Sequence, residues 1–507
     1  MRRTVLWLAS AAVACGGSGG GNGSGGSDTG ASTSTTGTAS TVGDSGPGTS
    51  AGSSGTTGAS SSGDDAGSSS SGGGGQDAPW QPGTVYRSLP EPNPRGLLDL
   101  RGLVHTHSVY SHDACDEMPV QEDGHFNEPC FEDLRRGLCQ TQHDWVMFTD
   151  HPELFDATEY PDVLLFDAAR GDALLERDGA PVGNWSGCDD GSSILLLAGT
   201  EGETMPVGLE HHVDDRSLYG QVSAEAIDAF KAAGAVSLVA HTEDWTVEQL
   251  ETLPLDGFEM YNLHANTLLN IAAAVQLLAK LAQGGDGLPH PDLAIMPLWS
   301  EDVRYLQTWG TVLSHGTRRV TTMGTDAHRN TFMQELPDGE RIDSFRRMML
   351  WFSNHLLVEG AQDGSWDDLA LKDALRSRRL YGVFEYMGYA QGFDAYVAAG
   401  DTVVEIGGEV AIGDAPVIHA VAPTVRGLDP LATPPTITVH VLRAIEGGFE
   451  EVLAGSDAIE YVPDAPGAYR VEVRMVPLHL TEFLGDYVDL ASQPRPWVYA
   501  NAFYVTP

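Results

Sequence analysis

His105 and His107 stand two residues apart in Arg101-Gly102-Leu103-Val104-His105-Thr106-His107, at the end of the apolar run Leu98 to Val104. On a strand, side chains at i and i+2 share a face, so both imidazoles would point to one place. Two neutral imidazoles aimed at one point are ligands for a transition metal. An isolated His-x-His is equally a pair of surface or core histidines. The metal reading gains weight because other ligand-type residues also end short apolar runs. These are Asp150-His151 after Trp145 to Thr149, Glu201 after Ile194 to Ala198, His241 after Val236 to Ala240, and Asp326-Ala327-His328 after Arg319 to Met323.

The elements that must carry these residues alternate in type. Leu98 to Val104, Trp145 to Thr149, Ile194 to Ala198, Val236 to Ala240 and Arg319 to Met323 read as buried strands. Between them, Phe131 to Leu138 and Ala224 to Ala233 read as helices, the second closed by Gly234, and one long Ala/Leu helix is expected from about Ala265 to Ala282. Trp366 to Arg379 reads as a closing helix and Leu380 to Val383 as a last strand. A repeated unit of apolar strand, polar tip and helix predicts an α/β barrel, with functional residues at the carboxyl ends of the strands.

From Phe393 onward the period shifts to two. Val403 to Ile406, Val417 to Val421, Thr436 to Leu442, Ala458 to Val462, Tyr469 to Val476 and Ala500 to Val505 read as short strands between Gly, Pro and Asp turns. The segment Asp464 to Tyr469 resembles the tyrosine corner of immunoglobulin-like sandwiches, so residues 393–507 are expected to form a small β-sandwich of roughly 110 residues. It holds no ligand cluster, and its expected role is to brace the barrel or bind a polymer.

The amino terminus reads as an export signal. Two arginines precede an apolar stretch, Thr4 to Ala14, too short to span a bilayer. Ala12-Val13-Ala14-Cys15 resembles the lipobox of bacterial lipoproteins, which implies a lipid on Cys15 and a membrane-tethered mature chain. Residues 16–78 are almost entirely Gly, Ser, Thr, Asp and Ala and are expected to be a flexible tether. The body, residues 79–392 and 393–507, is then placed at the outer membrane, in the periplasm or on the cell surface. A formal net charge of -43 argues against a nucleic-acid partner. With Cys15 set aside, Cys115, Cys130, Cys139 and Cys188 suggest two disulfides, with three possible connectivities. They would staple an insertion between the first two ligand motifs. A cysteine metal site is the alternative, but no C-x-x-C pair is present.

His105-Thr106-His107 with Ser111-His112-Asp113, then Thr149-Asp150-His151, Gly199-Thr200-Glu201, Val239-Ala240-His241 and Gly324-Thr325-Asp326-Ala327-His328, resemble the motifs of the PHP (polymerase and histidinol phosphatase) superfamily, in that family's order. The match covers roughly residues 95 to 390. The segment Arg495-Pro496-Trp497 to Tyr504 also resembles the carboxyl-terminal part of some larger exported PHP proteins.

The resemblance implies a distorted (β/α)7 barrel that holds two or three divalent transition metal ions, such as Zn, Mn or Fe, and hydrolyses phosphate esters or related bonds. By position, His105, His107 and Asp326 would hold one ion, and Glu201 would bridge it to a second. His241 and a histidine of the Glu210-His211-His212 run would complete the second site; His212 is preferred because Val213 follows it, and His211 stays open. His151 and His328 would hold a third ion with His112 or Asp113.

A water between the ions would lose its proton near neutral pH and attack phosphorus. Arg329 is the expected phosphate contact, and Asp150 is expected to orient His151. Glu203, His264 and Glu259 fall near the same strand ends. His125, His143 and His290 read as surface or loop histidines.

The expected activity is therefore that of a metal-dependent phosphoesterase acting on a small-molecule phosphate ester. The alternatives are a hydrolase of other ester or amide bonds on the same fold, and a metal-binding surface or adhesion protein without turnover.

Overall fold

The computed structural model describes residues 79–121 and 124–507. The expected signal segment, the lipid on Cys15 and the tether at 16–78 lie outside the described residues. Among those described, no helix is long and apolar enough to cross a membrane.

The strand Leu97–Thr106 is the axis of the fold, with nine of its ten residues buried. Burial on both faces explains its nearly continuous apolar run. It pairs in parallel with Trp145–Met147 on one side and Val320–Ala327 on the other, and antiparallel with Ser353–Glu359 along its first half. A glycine is required where the first pair meets, because a Cβ on Gly102 would lie 2.2 Å from the Trp145 ring.

The pairing continues in parallel from Trp145–Met147 to Ser193–Gly199, then antiparallel to Met205–Leu209 and Val236–Leu238. Val239 N–H donates to the Gly257 carbonyl at 3.2 Å, and Glu259 N–H to the Val239 carbonyl at 3.1 Å. These bonds lead to the strand Gly257–Asn262, which pairs in parallel with Val320–Ala327. The result is a mixed α/β fold with one large mixed sheet. The helices Glu128–Thr141, Ala224–Ala232, Val303–Ser314 and Asp368–Arg376 each bury an apolar face.

Three segments differ from the sequence reading. The helix expected over Ala265 to Ala282 is two, Leu263–Leu269 and Ile271–Ala282. Asn270 separates them; it leaves helical geometry and donates its side-chain amide to Ser300 Oγ at 2.9 Å. The strand expected over Ala500 to Val505 is likewise two, Arg495–Ala500 and Phe503–Thr506. Between them, the Asn501 side chain accepts from Thr321 N–H at 2.9 Å and donates to the Thr321 carbonyl at 2.9 Å, taking the place of a ladder partner. Residues 152–192 carry the hairpin Ala173–Arg177 and Ala180–Gly187, which adds to Ser193–Gly199 and is not visible in the apolar runs.

The disulfides are Cys115–Cys130 and Cys139–Cys188. The second ties the helix Glu128–Thr141 to the loop after the hairpin.

Carboxyl-terminal to residue 392, Asp394–Ala399, Thr402–Glu405, Val417–Val421 and Ala458–Tyr461 form a four-stranded sheet. The remaining long strands belong to the main sheet, because Arg495–Ala500 pairs with Leu380–Val383, which pairs with Ser353–Glu359. Hydrogen bonding therefore runs across the 392/393 boundary without a break. The Tyr469 hydroxyl donates to the Ala465 carbonyl at 2.8 Å, the bond that a tyrosine corner makes.

Candidate metal centre

The carboxyl ends of the parallel strands converge. His105 Nε2 lies 3.3 Å from Glu201 Oε2 and 3.2 Å from Asp326 Oδ1, and His107 Nε2 lies 3.4 Å and 3.2 Å from the same two oxygens. All four residues are buried. A tetrahedral ion with ligands about 2.0 to 2.1 Å away sets those ligands about 3.3 Å apart, so the spacing fits a cation at their centre.

The bonding state agrees. His105 Nε2, His107 Nε2, His328 Nε2 and Asp326 Oδ1 are buried without a hydrogen-bond partner, close to one another but misdirected for hydrogen bonding. A purely structural cluster would satisfy such atoms. His105, His107, Glu201 and Asp326 form one group that could hold a metal ion.

Five of the imidazoles are oriented from behind. The Nδ1 of His105 meets Glu259 Oε1 at 2.5 Å, that of His151 the Glu201 carbonyl at 2.8 Å, that of His328 the Asp326 carbonyl at 2.9 Å, and that of His241 Glu243 Oε1 at 3.2 Å. His107 Nδ1 lies 3.0 Å from Ser111 Oγ, which itself donates to Asp113 Oδ1 at 2.8 Å and so receives the imidazole N–H. An N–H donated backwards through Nδ1 leaves the Nε2 lone pair facing the centre, as a ligating imidazole requires.

A second group adjoins the first. Asp113 Oδ2 lies 3.3 Å from His151 Nε2 and 3.1 Å from His328 Nε2, with His107 beside them. On the other flank, His241 Nε2 is 3.3 Å from both Glu201 Oε1 and Asp326 Oδ2, and His264 Nδ1 is 3.2 Å from Asp326 Oδ2. The convergence bends the backbone: His105, His241 and Asp326 have φ of +67°, +50° and +54°. Such values are uncommon outside glycine and cluster at functional sites, where the surrounding packing holds them.

The charges are strongly coupled. Burial alone would lower the His105 pKa, but Glu259, Asp326 and Glu201 raise it well above the usual imidazole value. Burial is likewise overcome at His241, raised well above that value by Asp326, Glu201 and Glu243, and at His151, pushed up to about 10 by Asp113 and Glu201. His107 moves down, through burial and the adjacent His328. Glu201 and Asp326, which burial would raise, are held well below the carboxylate range by His105 and the other imidazoles. The acids thus stay ionised and draw positive charge inward, and a divalent cation could supply that charge with release of imidazole protons.

Three expected residues stand elsewhere, and a fourth is paired at the edge of the site. His112 is half exposed and faces Glu153 at 3.3 Å; its neighbour Asp113 joins His151 and His328 instead. His212 lies outside these groups, its ring held between the Tyr219 hydroxyl at 3.0 Å and the Thr158 carbonyl at 2.7 Å. Asp150 does not touch the His151 imidazole. Its carboxylate accepts from the Ser108 hydroxyl at 2.7 Å, and burial pushes its pKa up to about 6. Arg329 pairs through Nε with Asp133 at 3.1 Å and lines the same cleft as His264, Asp326 and His328.

Of the residues near the strand ends, Glu203 is exposed, whereas Glu259 and His264 reach the cluster. His143, read as a surface or loop residue, is buried with Nδ1 3.0 Å from Thr141 Oγ1. Glu243 and Ser111 were not foreseen as orienting groups, and their signal was proximity in sequence: each lies two or four residues from a ligand histidine.

No family model matches this chain, and no curated protein matches it. A crystal structure of PsfC from Pseudomonas syringae PB-5123 aligns with 56% of this chain and 91% of its own, at 15% identity and a TM-score of 0.30.

Proposed function

We propose that this chain is a metal-dependent hydrolase of the PHP type, acting on a phosphate ester outside the cytoplasm. The observation that carries the reading is the buried group His105, His107, Glu201 and Asp326, with its unsatisfied atoms and ion-sized spacing. Support for a PHP-type barrel comes from the strand pairings, which leave Leu97–Thr106 through Trp145–Met147 and return to it through Val320–Ala327. Two disulfides fit maturation in an oxidising compartment and so support export, with the lipid on Cys15 as the proposed anchor.

When bound, divalent transition metal ions supply Lewis acidity, acidifying water and neutralising charge on phosphoryl oxygens. The protein supplies the rest. Glu259, Ser111 and Glu243, with the Glu201 and Asp326 carbonyls, hold five imidazoles in place before substrate arrives, so no reorganisation is needed during reaction. The burial of His105, His107 and Glu201 excludes bulk water on the inner side. The partly exposed His151, Asp113, His241 and His264 form the open side through which a substrate would enter. Beside them, a cleft lined by Leu263, His264, Ile295, Phe332 and Met348 offers apolar walls for the organic half of an ester.

The test is release of nitrophenol from nitrophenyl phosphate and bis(nitrophenyl) phosphate with Mn or Zn, with and without chelator. Chelator-sensitive turnover of either ester is expected. Turnover that survives chelation overturns the proposal, and metal uptake without turnover marks a metal-binding surface protein instead.

A further inference from the structure

The two carboxylates at the heart of the cluster each divide their oxygens. Glu201 Oε2 and Asp326 Oδ1 face His105 and His107, whereas Glu201 Oε1 and Asp326 Oδ2 face away, toward His241. Around this second pair of oxygens the separations repeat those of the first group. His241 Nε2 stands 3.3 Å from each oxygen, and His264 Nδ1 stands 3.2 Å from Asp326 Oδ2. Ligands around one ion stand about 3.3 Å apart, so these distances outline a second coordination position next to the first.

We infer that His264 is a metal ligand, and that it completes, with His241 and the outward oxygens of Glu201 and Asp326, a second cation position joined to the first by two bridging carboxylates. The inference rests on the metal-dependent reading of the site.

His264 reaches this place because of the turn that precedes it. The Asn262 side chain accepts from Ala265 N–H at 2.8 Å and caps the helix Leu263–Leu269, so the histidine leaves the strand end in the first helical turn, directly over Asp326. Its orientation is unlike that of the other five imidazoles. They meet protein acceptors through Nδ1, whereas His264 turns Nδ1 itself toward the carboxylate.

His264 and Asp326 also group with His328, whose ring nitrogens are turned to other partners. Its Nδ1 is bonded to the Asp326 carbonyl, and its Nε2 faces Asp113. His212, the alternative suggested by sequence, has both ring nitrogens engaged by Tyr219 and Thr158.

The test counts metal in the purified full-length protein after loading with Mn and desalting, by elemental analysis, and reads the electron paramagnetic resonance of the bound Mn. The wild type is expected to show the exchange-coupled signal of adjacent Mn ions. His264→Gln should lose about one equivalent of metal together with the part of the coupled signal that this position contributes, His264→Asp should recover both, and His212→Gln should match the wild type. Circular dichroism confirms that each variant is folded; should His264→Gln not fold, His264→Asp and His212→Gln carry the comparison.

Unchanged stoichiometry and coupling in His264→Gln, or loss of coupling in His212→Gln, overturns the assignment alone. If His264→Gln is unfolded, failure of His264→Asp to give the wild-type metal count and coupled signal does the same. A wild type that takes up no Mn, Zn or Fe overturns the metal-dependent reading and the assignment together.

Discussion

Glu259 Oε1 stands 2.5 Å from His105 Nδ1, and both side chains are buried. The other oxygen of the same carboxylate accepts from His241 N–H at 2.9 Å and from the Asn262 side-chain amide at 3.2 Å. One buried acid thus positions a ligand of the first group, the backbone of a neighbouring ligand and the helix cap before His264.

Glu259→Gln keeps the shape but places an amide N–H against the His105 N–H or against the donors of His241 and Asn262. Loss of an orienting partner behind a ligand histidine costs about 10- to 100-fold in metal affinity. Competition with a fluorescent chelator is expected to show a loss of that size, with the far-ultraviolet circular dichroism unchanged.

Gly324 faces the same carboxylate. A Cβ at this position would lie 2.0 Å from Glu259 Oε1 and 2.9 Å from His105 Cβ. Gly324→Ala should therefore push Glu259 off His105, lowering metal affinity while destabilising the fold by about 1 to 3 kcal/mol, as overpacking does. Urea denaturation measures the second effect. Unchanged affinity with lowered stability would show that the glycine serves packing alone.

Replacing both His105 and His107 by alanine removes two of the four atoms of the first group. Bound metal and hydrolysis are expected to fall together in a chain that remains folded. A double variant with full metal content would dismiss the assignment.

The Cys115–Cys130 bridge closes a loop of 15 residues next to Asp113. Cys115 N–H donates to the His328 carbonyl at 3.0 Å and Asp116 N–H to the Arg329 carbonyl at 3.1 Å, so the bridge holds the Asp113 segment against the strand end that bears His328. Cys115→Ser with Cys130→Ser should cost about 3 kcal/mol in stability. It should also weaken metal held by Asp113, His151 and His328 more than metal held by His105 and His107, which stepwise chelator titration resolves.

Stability should fall from about pH 6.5 to about pH 9, and His355, which lies apart from the metal cluster, is one reason. Burial alone would lower its pKa, but Asp99 and Glu385 raise it to about 9. The native state therefore binds this proton more tightly than the unfolded chain. Its contribution, about 3 kcal/mol, is fully present below the unfolded value near 6.5 and is lost as pH rises through the native value. Melting temperature against pH should show this decline in the wild type and a flatter profile in His355→Gln.

Much of the scaffold is legible in the residues alone. Buried strands declare themselves as apolar runs because both faces are covered, and the i, i+2 spacing of His105 and His107 places both on one face whatever surrounds them. Four cysteines in the body likewise announce two bridges. What surrounds the strand ends is a different matter. Whether His264 or His212, or Asp113 or His112, meets the cluster depends on turns after the strands, where a left-handed residue or an Asn cap redirects the chain by several ångströms. Arg329 follows a ligand in sequence, has a φ of +57° and pairs through Nε with Asp133, a partner nearly two hundred residues away. Local pattern sets which face a side chain takes within an element. Which distant side chains share a point in space is decided by long-range packing, and spacing along the chain carries no trace of it.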